Sequence, residues 1–157
     1  SVHLKIFAMK TNHLPFPEIT IHYKDKNIEK RPCITKSTEA IDILRPYYKE
    51  CMQHHEEFWV LYLNTRNQVL GVSCVAKGGI DKMLIDNRIV LQIALKTNAT
   101  GIIVSHNHPT GNNHPSTQDD TITGKLKDAC HLLDIRLYDH LIVTEDSYYS
   151  YTDEGVL

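Results

Sequence analysis

The chain has 157 residues, with 17 lysines and arginines against 19 acidic residues and a net charge of −2. That length suits one domain with a buried core. The thin spread of lysine and arginine supplies no basic run to mark a nucleic-acid footprint, so charge does not support DNA binding.

No apolar run is long enough to cross a bilayer, and the first residues lack the apolar core of a secretion signal. Cys33, Cys51, Cys74 and Cys130 form no Cys-x-x-Cys pair. Scattered thiols without such pairing are expected in a reduced, cytoplasmic protein, as small core residues.

Residues 1–36 are expected to form an N-terminal arm, with Ile19–Tyr23 alternating as a small strand. Ser37 reads as the N-cap of a helix reaching roughly Met52, buried through Ile41, Leu44 and Tyr48, with Pro46 forcing a break near Arg45. Phe58–Leu63 and Val69–Val75 flank the turn Thr65–Gln68 and predict a hairpin, with Lys77–Gly79 as a loop after it. Met83–Ile85 suggests a short edge strand. Asp86 is placed to cap a helix through about Asn98 whose core face is Val90, Ile93, Ala94 and Leu95.

Gly101–Val104 is a buried strand by its apolar content, and it runs into Ser105-His106-Asn107-His108-Pro109. A helix from about Gln118 to Leu133, a strand over Ile135–Val143 and a last short strand over Tyr148–Tyr151 complete the order. Strands alternating with helices give an α/β domain with a mixed sheet flanked by helices.

On an extended backbone residues i and i+2 share a face, so His106 and His108 can turn to one point. Seven residues separate His108 from Ser116, and two more separate Ser116 from Asp119. Two neutral imidazoles and a carboxylate make the open three-ligand set of a catalytic zinc. Ser116 and Asp119 also read as a plain helix start, N-cap and first-turn acid. Capping gives no reason for His-x-His at a strand end.

The order Glu56, His106-x-His108, Ser116 and Asp119 resembles the JAMM motif of MPN (JAB)-type metallopeptidases. The longer strings His106–Gly111, Phe58–Asn64, Leu133–His140 and Ser150–Gly155 resemble the bacterial RadC family, over roughly residues 37–157. The resemblance implies an MPN-type fold with cytidine-deaminase-like topology, in a short form without the helix-hairpin-helix DNA-binding region of longer relatives. It implies one zinc per chain on His106, His108 and Asp119, Glu56 as general base, and Ser116 as donor to the oxyanion. In the family the acid stands two residues before the first apolar strand position, here Phe58, which selects Glu56 over its neighbour Glu57. Ser105 and Asn107 then shape the loop.

The implied activity is zinc-dependent hydrolysis of a peptide or isopeptide bond in a peptide or protein substrate. Two alternatives stand beside it: a repair-associated nucleic-acid-binding module, and a zinc-binding scaffold without hydrolysis. A zinc deaminase is excluded, since the Pro-Cys-x-x-Cys string that supplies its zinc thiolates is absent. His114 and His54-His55 read as solvent-facing, and Asp120 as a first-turn charge favoured by the helix dipole. Asp139-His140 reads as a pair supporting the site or as a buried structural histidine. The sequence leaves the oligomeric state open.

Overall fold

The run from Phe58 to Leu63 offers almost no polar position to solvent, so the strand it forms must be covered on both faces. A computed structural model, which describes residues 30–79 and 83–157, shows that cover. In chain order the elements are α1 (Ser37–Leu44), a 3-10 turn (Arg45–Tyr48), β1 (Glu57–Leu63), β2 (Val69–Lys77) and α2 (Asn87–Lys96). Then come β3 (Gly101–Asn107), α3 (Thr117–Leu132), β4 (Arg136–Val143) and β5 (Tyr148–Ser150). The five strands form one sheet in the order β2-β1-β3-β4-β5. Only β3 and β4 are parallel, joined by the crossover through α3.

Strand parity sorts the side chains into two cores. Phe58, Val60, Tyr62, Ile102 and Val104 pack with Val90 and Ala94 of α2 and Leu126 and Cys130 of α3. Leu61, Leu63, Ile103, Leu141 and Val143 pack on the other face with Ala40, Ile41 and Leu44 of α1. Each fully buried aliphatic side chain is worth ~1.5–3 kcal/mol, so both layers hold the sheet. Gly101 opens β3 because a Cβ there would lie 2.1 Å from the Tyr138 ring.

Several local expectations need correction. The N-cap of α1 is Lys36; Ser37 is the first helical residue, and its hydroxyl turns instead to Asp153 and Tyr148 of the C-terminal segment. The break falls near Arg45 as expected, but the α-helix does not resume toward Met52. It ends at Leu44, and a 3-10 turn over Arg45–Tyr48 follows, with Pro46 in its first turn, where the missing N–H costs nothing. Residues 83–85 form no strand. Asp86 does cap α2, accepting from Arg88 N–H, but Leu95 is 55% exposed because it falls off the stripe set by Val90 and Ala94. The expected strand at Ile19–Tyr23 lies outside the described residues. Among the described residues no helix is long and apolar enough to cross a membrane.

Candidate metal centre

His106 is the sixth residue of β3, opposite Phe58 of β1, and shares the α3 side of the sheet with Ile102 and Val104. His108 lies just beyond the strand end, its backbone N–H donating to the carbonyl of Val143. Gly111, at φ +81°, turns the loop back with an N–H donated to the carbonyl of His108. The loop ends at Ser116, which caps α3. Its Oγ accepts from the N–H of Asp119 (3.2 Å), and its own N–H donates to the Asp119 carboxylate (2.7 Å). A capping box with Asp in the third position thereby fixes that carboxylate over the strand end.

The result is convergence. His106 Nε2 lies 2.9 Å from His108 Nε2 and 3.1 Å from Asp119 Oδ1, and His108 Nε2 lies 3.5 Å from Asp119 Oδ2. One donor atom from each of the three residues falls within a 4.8 Å group.

The tautomers follow from what surrounds them. The Thr123 hydroxyl donates to the carbonyl of Asp119 (2.7 Å), so its oxygen accepts from Nδ1–H of His140 (2.6 Å). His140 Nε2 is therefore an acceptor, and it takes the Nδ1–H of His106 (2.8 Å). His108 Nδ1–H donates to the carbonyl of Asn112 (2.6 Å). Both Nε2 atoms are thus left as lone pairs, facing each other and a carboxylate. Such a donor set is repulsive until a cation sits among it. It fits a zinc ion, whose usual ligands are two neutral imidazoles and a carboxylate oxygen.

For His106 and His140 the charge distribution agrees with that arrangement. Burial holds His106 and, further still, His140 below the ordinary imidazole range, keeping both neutral. Burial would raise Asp119, but the His106 and His108 rings facing it and the Ser116 hydroxyl hold it far below the usual carboxylate range, so it stays an anion. His108 runs the other way: burial pulls it down, yet Asp119, the Asn112 carbonyl and the nearby charge of Glu56 outweigh it and raise it, so without a cation a proton on Nε2 takes the place beside Asp119 that the ion would fill.

The three groups open onto a cavity of about 290 Å³ that Glu56, Phe58, Met83, Ser116 and Ile122 also line. Glu56 sits one residue before β1, its N–H and carbonyl bonded to Gly79 and Gly78. Glu57 goes the other way. It is buried on the α1 side, with Lys77 Nζ at 2.8 Å, Trp59 Nε1 at 2.9 Å and His55 Nε2 at 3.0 Å.

Other residues change standing. His55 is half-buried against Glu57 rather than solvent-facing. Asp120 is an exposed first-turn acid of α3, as expected, and it also accepts from the hydroxyl of Tyr151 (2.8 Å). His114 is exposed at the cavity rim. Asp139 and His140 do not act as a pair on the site. Asp139 turns to Ser150 and Thr152 on the opposite side, and only His140 reaches His106. Thr123 and the Asn112 carbonyl carried no signal in the sequence beyond their nearness to Asp119 and His108. Asn107 does shape the loop: it accepts from Glu57 N–H and donates to backbone carbonyls of Cys51, Met52 and His55.

A mixed sheet between helices, with two histidines at a strand end and an acid at the next helix start, places the chain in the class of JAB-type domains. The chain belongs to the RadC-like JAB domain family, whose pattern matches residues 34–156. A UPF0758 protein of Flavobacterium johnsoniae is 43% identical over 139 residues, covering 88% of this chain and 60% of that protein. UPF0758 proteins of Porphyromonas gingivalis (35% over 141 residues, 89% and 61% covered) and Aquifex aeolicus (38% over 132 residues, 84% and 56% covered) are similar too. The chain spans about three fifths of the length of these curated relatives.

Proposed function

We propose that the chain is a zinc-dependent hydrolase of peptide or isopeptide bonds in a peptide or protein substrate. The observation that supports this most is the pair of imidazole lone pairs, each fixed by an Nδ1–H donor, that meet the Asp119 carboxylate at the base of an open cavity. His106, His108 and Asp119 would hold one zinc. That ion supplies Lewis acidity, which makes water nucleophilic near neutral pH and polarises a carbonyl.

The chain's own groups do the rest. The Glu56 carboxylate, on the cavity wall, accepts a proton from the attacking water and returns it to the departing amine. The Ser116 hydroxyl, which here donates to Asp119 Oδ2 (2.6 Å), turns toward the cavity to donate to the developing oxyanion. Phe58, Met83 and Ile122 give the cavity an apolar wall against which a substrate side chain can lie.

The test is a screen of peptide and isopeptide libraries with the zinc-loaded chain beside Glu56→Gln. Cleavage by the unaltered chain and its loss in the variant support the reading. Zinc retention with no cleavage by either would replace it with a scaffold role, and salt-sensitive DNA binding without cleavage would replace it with a nucleic-acid module.

A further inference from the structure

A second group of metal-binding side chains lies on the α1 side of β1, away from His106 and His108. Cys51, His55 and Glu57 place a thiol, an imidazole nitrogen and a carboxylate oxygen all within 4.8 Å of one another. Cys51 and Glu57 are buried, at 1% and 5% exposure, while the half-buried ring of His55 gives the group a way out to solvent. A second thiol, Cys74 of β2, stands 3.9 Å from Glu57 Oε2. We propose that this cluster is a structural site for a thiophilic divalent cation of the zinc class, held by Cys51, His55 and Glu57 with Cys74 at its edge.

The donor chemistry supports this. Thiolate, imidazole and carboxylate are zinc's three protein ligand types, and bond lengths of ~2.0–2.3 Å put ligand atoms about 3.3–3.7 Å apart around a tetrahedral ion. His55 Nε2 and Glu57 Oε1 are already 3.0 Å apart. His55 can present Nε2 as a lone pair, because its Nδ1 lies 2.8 Å from Nδ1 of His54, which can accept the remaining ring proton.

Glu57 now draws its counter-charge from Lys77, whose side chain is 66% exposed and can leave for solvent when a cation replaces it. Burial, and then the Glu57 charge, push the Cys51 thiol up to about 11, so binding must release a proton and strengthens as pH rises.

The placement suggests what the cation does. Asn107, between the two histidines of the other site, accepts from Glu57 N–H and donates to the carbonyls of Cys51 and His55. A cation joining Cys51, His55 and Glu57 would brace the turn on which Asn107 is moored, and with it the strand end carrying His106.

The experiment is a Co2+ titration of the reduced whole chain in a Cys33→Ser background, which removes the exposed thiol. The other site has no sulfur ligand, so a near-ultraviolet thiolate-to-cobalt band reports this cluster alone. The expected result is a band that appears as a second equivalent binds and persists in His108→Ala. It vanishes in Cys51→Ser, and its affinity falls at least about tenfold in His55→Ala. Because His55 is half-buried, its variant keeps the test valid if Cys51→Ser fails to fold. Absence of the band at saturating Co2+, an undiminished band in Cys51→Ser, or unchanged affinity in His55→Ala would overturn the proposal.

Discussion

The two sides of β1 are built from neighbouring residues and carry different chemistry. On the α3 side, the cavity gathers Glu56, Phe58 and His106 beneath the start of α3; on the α1 side, Glu57 and Asn107 are sealed against the turn around Cys51. Glu56 and Glu57 have the same functional group and adjacent positions, yet one lines an open cavity and the other is buried with a lysine. Backbone pleat alone separates them. A carboxylate's chemistry here is set by which face it is dealt to.

The most forceful way to break that comparison is to neutralise each acid in turn. Glu56→Gln is expected to lower kcat by roughly 10²–10⁴-fold while leaving zinc content and stability nearly unchanged. Glu57→Gln is expected to do the reverse, costing about 1–3 kcal/mol of stability through the lost charged hydrogen bonds, with turnover changed only a few-fold. Steady-state kinetics and denaturant unfolding on both variants check this; equal kinetic losses would remove the distinction.

Ser116 belongs to both the helix and the site, and Ser116→Ala separates the two contributions. Loss of the oxyanion donor should lower kcat by about 10²-fold. Loss of the cap should cost about 1 kcal/mol in the zinc-free chain. Ser116→Asn keeps a capping oxygen, so it should recover stability without rate; recovery of both would mean that Ser116 only caps.

Thr123→Val removes the hydroxyl that fixes His140 and, through it, the tautomer of His106. The expected outcome is a 10–100-fold loss of zinc affinity with helix content unchanged, read by competition with a chelating dye. Unchanged affinity would mean that His106 needs no such relay.

The smallest effect is one of pH. Burial holds His140 well below its ordinary range in the folded chain, whereas the unfolded chain takes up that proton near pH 6.5. The stability from the neutral ring is therefore full above about pH 6.5 and declines as pH falls, by up to about 1.4 kcal/mol per pH unit for one proton. In chelator, His140→Gln should lose that much of the slope; an unaltered slope would show that His140 titrates freely.

Much of this arrangement was legible in the residues. Apolar runs locate β1, β3 and β4 because those strands are buried, and the turn after β1 locates the half-buried β2. The His106-x-His108 spacing and the Ser116-x-x-Asp119 helix start are local, so they survive folding as read. Long-range partners left no such trace. Ser37 has every mark of an N-cap, but its hydroxyl is claimed by Asp153, 116 residues away. Asp139 and His140 look like a pair in sequence and are split by the pleat, one to each side. Leu95 is as apolar as its neighbours in α2, yet it stands off the Val90–Ala94 stripe and is exposed. The link from Thr123 through His140 to His106 joins α3, β4 and β3, and only the packed sheet reveals it.

The central claim is that His106, His108 and Asp119 hold a zinc ion. The most direct measurement is bound zinc per chain in the purified whole protein, beside His108→Ala and Asp119→Ala, each checked for folding by circular dichroism. The account predicts that both variants lose about one equivalent relative to the unaltered chain. Equal zinc in all three proteins, or none in the unaltered chain after reconstitution, would contradict it and leave Ser116 and Asp119 as a helix cap beside two histidines.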